Sequence, residues 1–195
     1  MRNVGNQDLP QDPAYSRLTN AERFQPLHSA MLEIIGRLEN DFDVERTDGY
    51  GLDAELEQGL DPARLHVRLS PSNHDAAPIA VVFSTFPGLH VRFGRWYSEL
   101  FPSCGCDACD ESAEGEIERL TEMVEDVVAG RFFEAIRCPL VSFRRTGWRE
   151  TKFWSSVGIR AQRSRVDGLR AREMAGGRRR LDLIWEPWRR RRTIG

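Results

Sequence analysis

Three cysteines fall within six residues in the run FPSCGCDACDES, residues 101–112, a C-x-C-x-x-C array set among carboxylates. Thiolates bind zinc tetrahedrally at about 2.3 Å, so sulfurs that share an ion must converge on it from three or four directions. A C-x-x-C turn curls its backbone and brings two sulfurs to one side, and Gly105 and Ala108 are small enough to let the chain wrap closely. Cys104, Cys106 and Cys109 therefore form a candidate ligand set for Zn2+, with Cys138, before Pro139, the natural fourth. His28, His66, His74, His90 or a water fill that place less well. The usual zinc signature pairs two such turns, and this chain has one.

Two other readings stand beside the metal. A thiol at a helix N-terminus has a lowered pKa and reacts readily, so the array could serve redox chemistry. Asp107, Asp110 and Glu111 argue against that: a like charge about 6 Å away costs roughly 2.8 kcal/mol at an effective dielectric near 20, about two pKa units before screening. A dication reverses the sign, and the same carboxylates then offset its charge. The third reading is an ordinary turn before a helix, with the cysteines as small packing groups.

The other concentration of chemistry lies near the end. Trp148, Trp154, Trp185 and Trp188 interleave with arginines, a pattern that can stack bases while guanidinium groups meet phosphates. Phe143, Phe153, Trp154 and Trp185 sit in strand-like runs, which favours packing instead. The ending EPWRRRRTIG places Arg189, Arg190, Arg191 and Arg192 as an anion contact for nucleic acid or an acidic protein, a partner class that is not favoured. The chain lacks a glycine-rich phosphate loop, H-E-x-x-H and G-x-S-x-G, so nothing designates catalytic residues.

The elements that position these residues follow from periodicity. Residues 1–18, polar with two prolines, read as an N-terminal arm. Thr19-Asn20-Ala21-Glu22 has capping-box spacing, and Pro26 opens a longer helix whose apolar face is Leu27, Met31, Ile34, Ile35, Leu38 and Phe42. Strands are predicted at 43–47, around Leu65, Val67 and Leu69, at 79–83, and over Leu89, Val91 and Phe93, with 79–93 a hairpin. A helix over 113–129, ended by Gly130, follows the cysteine turn. Further strands are predicted at 132–136, 140–145, 152–157 and 181–185, a loop at 158–170, and a brief helix at 167–175. The sum is an α+β fold, a mainly antiparallel sheet with helices packed on one face, in a single domain over 19–188 with a basic tail at 189–195.

The 195 residues carry a net charge of only −2, but unevenly. Residues 1–143 have 12 arginines against 25 acids, a net −13; residues 144–195 have 15 arginines and one lysine against five acids, a net +11. Such an asymmetry means either an electrostatic partner or two parts that attract each other, and the lack of a linker between them favours the second. No apolar run is long enough to span a bilayer and no targeting motif opens the chain, so a cytoplasmic protein with reduced thiols is expected.

The run FPGLHVRFGRWYSELFPSCGCDACDE resembles the signature of an actinobacterial family of small proteins of unknown function, as do ERFQPLH, DVERTDG and the near-terminal EPW. The resemblance covers most of residues 20–190. It implies membership and a bacterial source, and it carries over no catalytic residue. The expectation is a small soluble bacterial protein of unknown biochemical function, without enzymatic activity, with a structural zinc site at the cysteine turn.

Overall fold

The computed structural model describes residues 17–51, 56, 65–109, 111–138, 146–155 and 158–192. Helix α1 (Pro26–Asp41) begins at Pro26, where a missing N–H costs nothing, and buries Leu27, Met31, Ile34, Ile35 and Leu38 along one face. The capping box expected at Thr19–Glu22 does not form. A 3-10 turn spans Ala21–Phe24, Asn20 supplies no side-chain cap, and the Thr19 hydroxyl donates to Asp107 instead.

Strands β1 (Val44–Asp48), β2 (His66–Pro71), β3 (Ile79–Phe83), β4 (Leu89–Phe93) and β5 (Tyr97–Phe101) form an antiparallel sheet in chain order. Alternation sets its faces. Leu69, Ile79, Phe93 and Tyr97 lie in one register row, and Val67, Val81 and Val91 in another, all in the main core. The intervening row, Arg68, Ala80 and Arg92, belongs to the opposite face. The predicted 79–93 hairpin is β3–β4. Helix α2 (Ala113–Val128) packs on α1 and adds Leu120, Met123, Val124 and Val127 to the same core. Ser112 caps it by accepting from the Gly115 N–H at 3.1 Å.

Strands β6 (Phe132–Arg137), β7 (Thr146–Ser155), β8 (Gly158–Asp167) and β9 (Arg180–Ile184) make a second antiparallel sheet in the order β8-β7-β6-β9. Helix α3 (Gly168–Met174) packs on it through Ala171, beside Trp96, Ile136 and Ala175. The loop expected at 158–170 is a correction: most of it is β8, paired with β7 along its whole length. The strand expected at 140–145 lies outside the described residues. The α+β class and single domain are as the sequence predicts, with the strands divided between two sheets. No described helix is long and apolar enough to cross a membrane.

Two devices join the sheets. Glu134 of β6, fully buried, accepts from the main-chain N–H groups of Arg95, Trp96 and Tyr97 at 2.7, 2.7 and 2.9 Å, and from the Trp185 indole at 3.1 Å. Burial pushes its carboxyl above the usual range, and the four donors pull it back. The second device is the segment after β9. Glu186 donates its N–H to the Asp75 carbonyl and accepts from the Asn73 amide, while Trp188, 4 % exposed, donates its indole N–H to the Ala77 carbonyl. Arg189 and Arg191 continue along α1's end, bonded through their backbones to Asp43 and Asp41.

Candidate metal centre

The chain leaves β5 at Phe101 and enters α2 at Ala113, and the cysteine turn fills the interval. Its main chain is held from both sides. The Glu111 carboxylate accepts from the N–H groups of Cys104 and Gly105, at 3.1 and 2.8 Å. Arg23 donates to the carbonyls of Gly105 and Cys106, both at 3.2 Å, while its guanidinium lies 4.7 Å from the centre of the Phe24 ring. Asp107 receives the N–H and the hydroxyl of Thr19, each at 3.0 Å, and its own N–H reaches the Arg17 carbonyl. Within the turn, Cys109 N–H bonds to the Cys106 carbonyl at 3.3 Å.

This scaffold brings the three sulfurs within 4.8 Å of one another. Cys106 is buried and Cys104 and Cys109 are exposed; all are free thiols. The Cys106 and Cys109 sulfurs are 3.1 Å apart. Hydrogen bonding with the Cys109 thiol, then with Cys104, holds Cys106 below the ordinary thiol range, and the same pairing pushes Cys109 up to about 12. The flanking acids were expected to oppose any such thiolate. The hydrogen bonds from the neighbouring sulfurs lower Cys106 all the same; the Thr19 N–H, chiefly, holds Asp107 below the carboxylate range, so that it stays charged, and Glu111 accepts from two main-chain donors. Asp110 lies outside the described residues.

Cys138 does not join the trio. It packs at the edge of the second cluster with Ile136 and Ala171, its N–H on the Arg179 carbonyl, and burial raises its thiol. No histidine enters the sulfur group among the described residues. His28 contacts the Gly88 carbonyl at 3.0 Å and the Phe83 ring edge-on, and His66 lies against Tyr50.

At the other end of the chain, Arg189, Arg190, Arg191 and Arg192 are exposed, and Arg190 stands 5.4 Å over the Phe42 ring. Trp185 and Trp188 serve the buried hydrogen bonds described above, and Trp154 packs edge-on to Phe133. The Trp148 side chain is outside the described set.

Sequence reasoning missed the braces of the turn, Thr19 and Arg23, which stand more than eighty residues from it. The available signal was ERFQPLH, a stretch noted for resemblance and not for contact. In the structure Arg23, Phe24 and His28 all touch the 86–106 region.

The fold and site define a small α+β protein with a braced three-cysteine turn. The chain matches a family of unknown function, DUF6226, over residues 3–192, and it belongs to that family. No curated protein and no solved structure matches it.

Proposed function

We propose that the chain is a metal-binding protein without enzymatic activity, in which Cys104, Cys106 and Cys109 hold one zinc ion as thiolates. The observation that carries the reading is the convergence of three sulfurs within 4.8 Å on a turn whose backbone is already fixed. Sulfurs at the corners of a zinc tetrahedron stand about 3.8 Å apart, so small side-chain rotations bring this set to ligand geometry. With Cys138 packed in the other cluster, the fourth position falls to water or an outside ligand. Three thiolates exceed the ion's charge by one, and Arg23, bonded to the Gly105 and Cys106 carbonyls and 3.8 Å from Asp107, supplies a cation at the turn. The ion would then tie the segment Arg17–Phe24 to the start of α2, a structural role suited to the reduced thiols of a cytoplasm.

Metal content of untagged protein, by elemental mass spectrometry, tests this. One zinc per chain is expected, lost in Cys106→Ala and retained in Cys138→Ala. Folded wild-type protein that takes up no zinc from a zinc-supplemented buffer would overturn the reading.

A second reading rests on the 3.1 Å contact and the lowered Cys106 thiol. Cys106 would attack a disulfide of a partner and Cys109 would resolve the mixed disulfide, leaving the partner's two thiols reduced and a Cys106–Cys109 bond. Reduction of a small-molecule disulfide by the metal-free protein, abolished in Cys106→Ala, would favour it over zinc.

A further inference from the structure

A cavity of about 320 Å³, with no residue of the cysteine turn in its wall, lies where β2, the β2–β3 connection and the end of β4 meet the segment that follows β9. Arg68 and Ser70 of β2, His74 of the β2–β3 connection, Arg95 after β4 and Trp185 after β9 line it. Among the described residues no carboxylate contributes to its wall. Elsewhere arginines at this sheet find acids: Arg46 of β1 pairs with Glu39 and Asp48, and Arg119 of α2 with Glu99 of β5 and Glu116. Among the described residues no acid forms an ion pair with Arg68, His74 or Arg95. In a chain with more acids than bases, a concave wall lined by two arginines focuses positive potential on one small volume, the Arg95 guanidinium standing 5.6 Å over the neighbouring Trp96 ring.

The walls are fixed before anything binds. The Arg95 N–H and the Trp185 indole N–H both end on the buried Glu134 carboxylate, at 2.7 and 3.1 Å. The His74 loop is braced by Asn73, whose amide donates to Glu186 at 2.9 Å and whose carbonyl oxygens accept from Asp75 and Ala76. A site held this way loses little conformational freedom on binding. The volume lies at the low end of small-ligand pockets, too small for a folded partner.

We propose that this cavity binds a small organic phosphate, a phosphate monoester whose oxygens meet Arg68 and Arg95 and whose organic part lies against Trp185. Two guanidinium groups match a phosphate dianion in charge and in donor geometry, where a carboxylate would use one of them. The Ser70 hydroxyl adds a neutral donor at the same wall. This site shares no residue with the cysteine turn and is independent of the metal reading.

Calorimetric titration of the full chain with phenyl phosphate, inorganic phosphate and benzyl alcohol tests it. Saturable one-to-one binding of phenyl phosphate is expected, tighter than inorganic phosphate, with benzyl alcohol giving no signal. Arg68→Gln and Arg95→Gln are each expected to weaken it about tenfold or more, and Arg190→Gln, the same charge change beside Phe42, to leave it intact. Folded wild-type protein that does not saturate with phenyl phosphate up to about 10 mM would overturn the proposal. So would equal weakening in all three variants, which would mark a diffuse effect of net charge.

Discussion

The Glu134 carboxylate occupies the space into which a β carbon on Gly94 would project. Glu134 belongs to the second sheet and Gly94 to the turn that closes β4 and β5 of the first, so this contact is where the sheets are stitched. Among the described residues, each hydrogen bond the carboxylate accepts comes from an N–H group. Glu134→Gln turns an NH2 toward those donors and leaves at least one of them unsatisfied in a site without water access. A loss of about 3 kcal/mol is expected, read as a lower urea midpoint at unchanged slope. A loss under about 1 kcal/mol would show that the turn finds other acceptors.

Gly130 does the corresponding work for the segment after β9. Its φ is +70°, and a β carbon there would stand 2.6 Å from the Pro187 nitrogen. Gly130→Ala combines left-handed strain of about 1–2 kcal/mol with displacement of backbone that cannot rotate away. The expected result is a loss above 2 kcal/mol, roughly, together with faster hydrogen exchange at Trp188, whose N–H bonds to the Val128 carbonyl. Destabilisation without faster exchange at Trp188 would separate the strain from the strap.

These contacts mark the boundary of what the sequence discloses. Apolar elements were legible: α1, α2, β2 and β4 announce themselves by spacing, and β3, buried on both faces, by its unbroken apolar run. Strand β8 does not, because it is an edge strand whose side chains from Ile159 to Arg163 are all exposed; its existence rests on the ladder to β7, and its arginines guard the open edge. Strand β5 was hidden by Glu99, which interrupts the row between Tyr97 and Phe101 and is satisfied there by Arg119 and the Tyr97 hydroxyl. The three sulfurs were legible because they are local in sequence. The exclusion of Cys138 and the bracing by Thr19 and Arg23 depend on tertiary placement, which spacing does not encode.

Arg23 offers a test of that bracing. Its two bonds hold the carbonyls of the two peptides that flank the Cys106 α carbon, so Arg23→Ala frees the middle of the turn without touching a sulfur. Zinc stoichiometry is expected to remain one per chain while affinity falls about 10- to 100-fold, measured by competition with a chromogenic chelator. Unchanged affinity would mean that the turn is rigid without this brace.

The sharpest electrostatic prediction concerns the metal-free turn. Two neighbouring thiols stabilise the Cys106 thiolate, so its titration lies below the ordinary cysteine range and the anion persists as pH falls through that range. Cys109, pushed up to about 12, stays protonated and acts as the donor. Cys109→Ala removes the larger of the two contributions, and the Cys106 titration is expected to move upward toward the ordinary value. Ultraviolet thiolate absorbance against pH, with alkylation mapped by mass spectrometry, reads the shift directly. Because lowered pKa and burial act oppositely on reaction rate, the inflection carries the argument and the absolute rate does not. An inflection for Cys106 that stays in place after Cys109→Ala would mean that the thiolate owes its stability to Cys104 and the main-chain donors of the turn, and the Cys106–Cys109 pair would lose its assigned role.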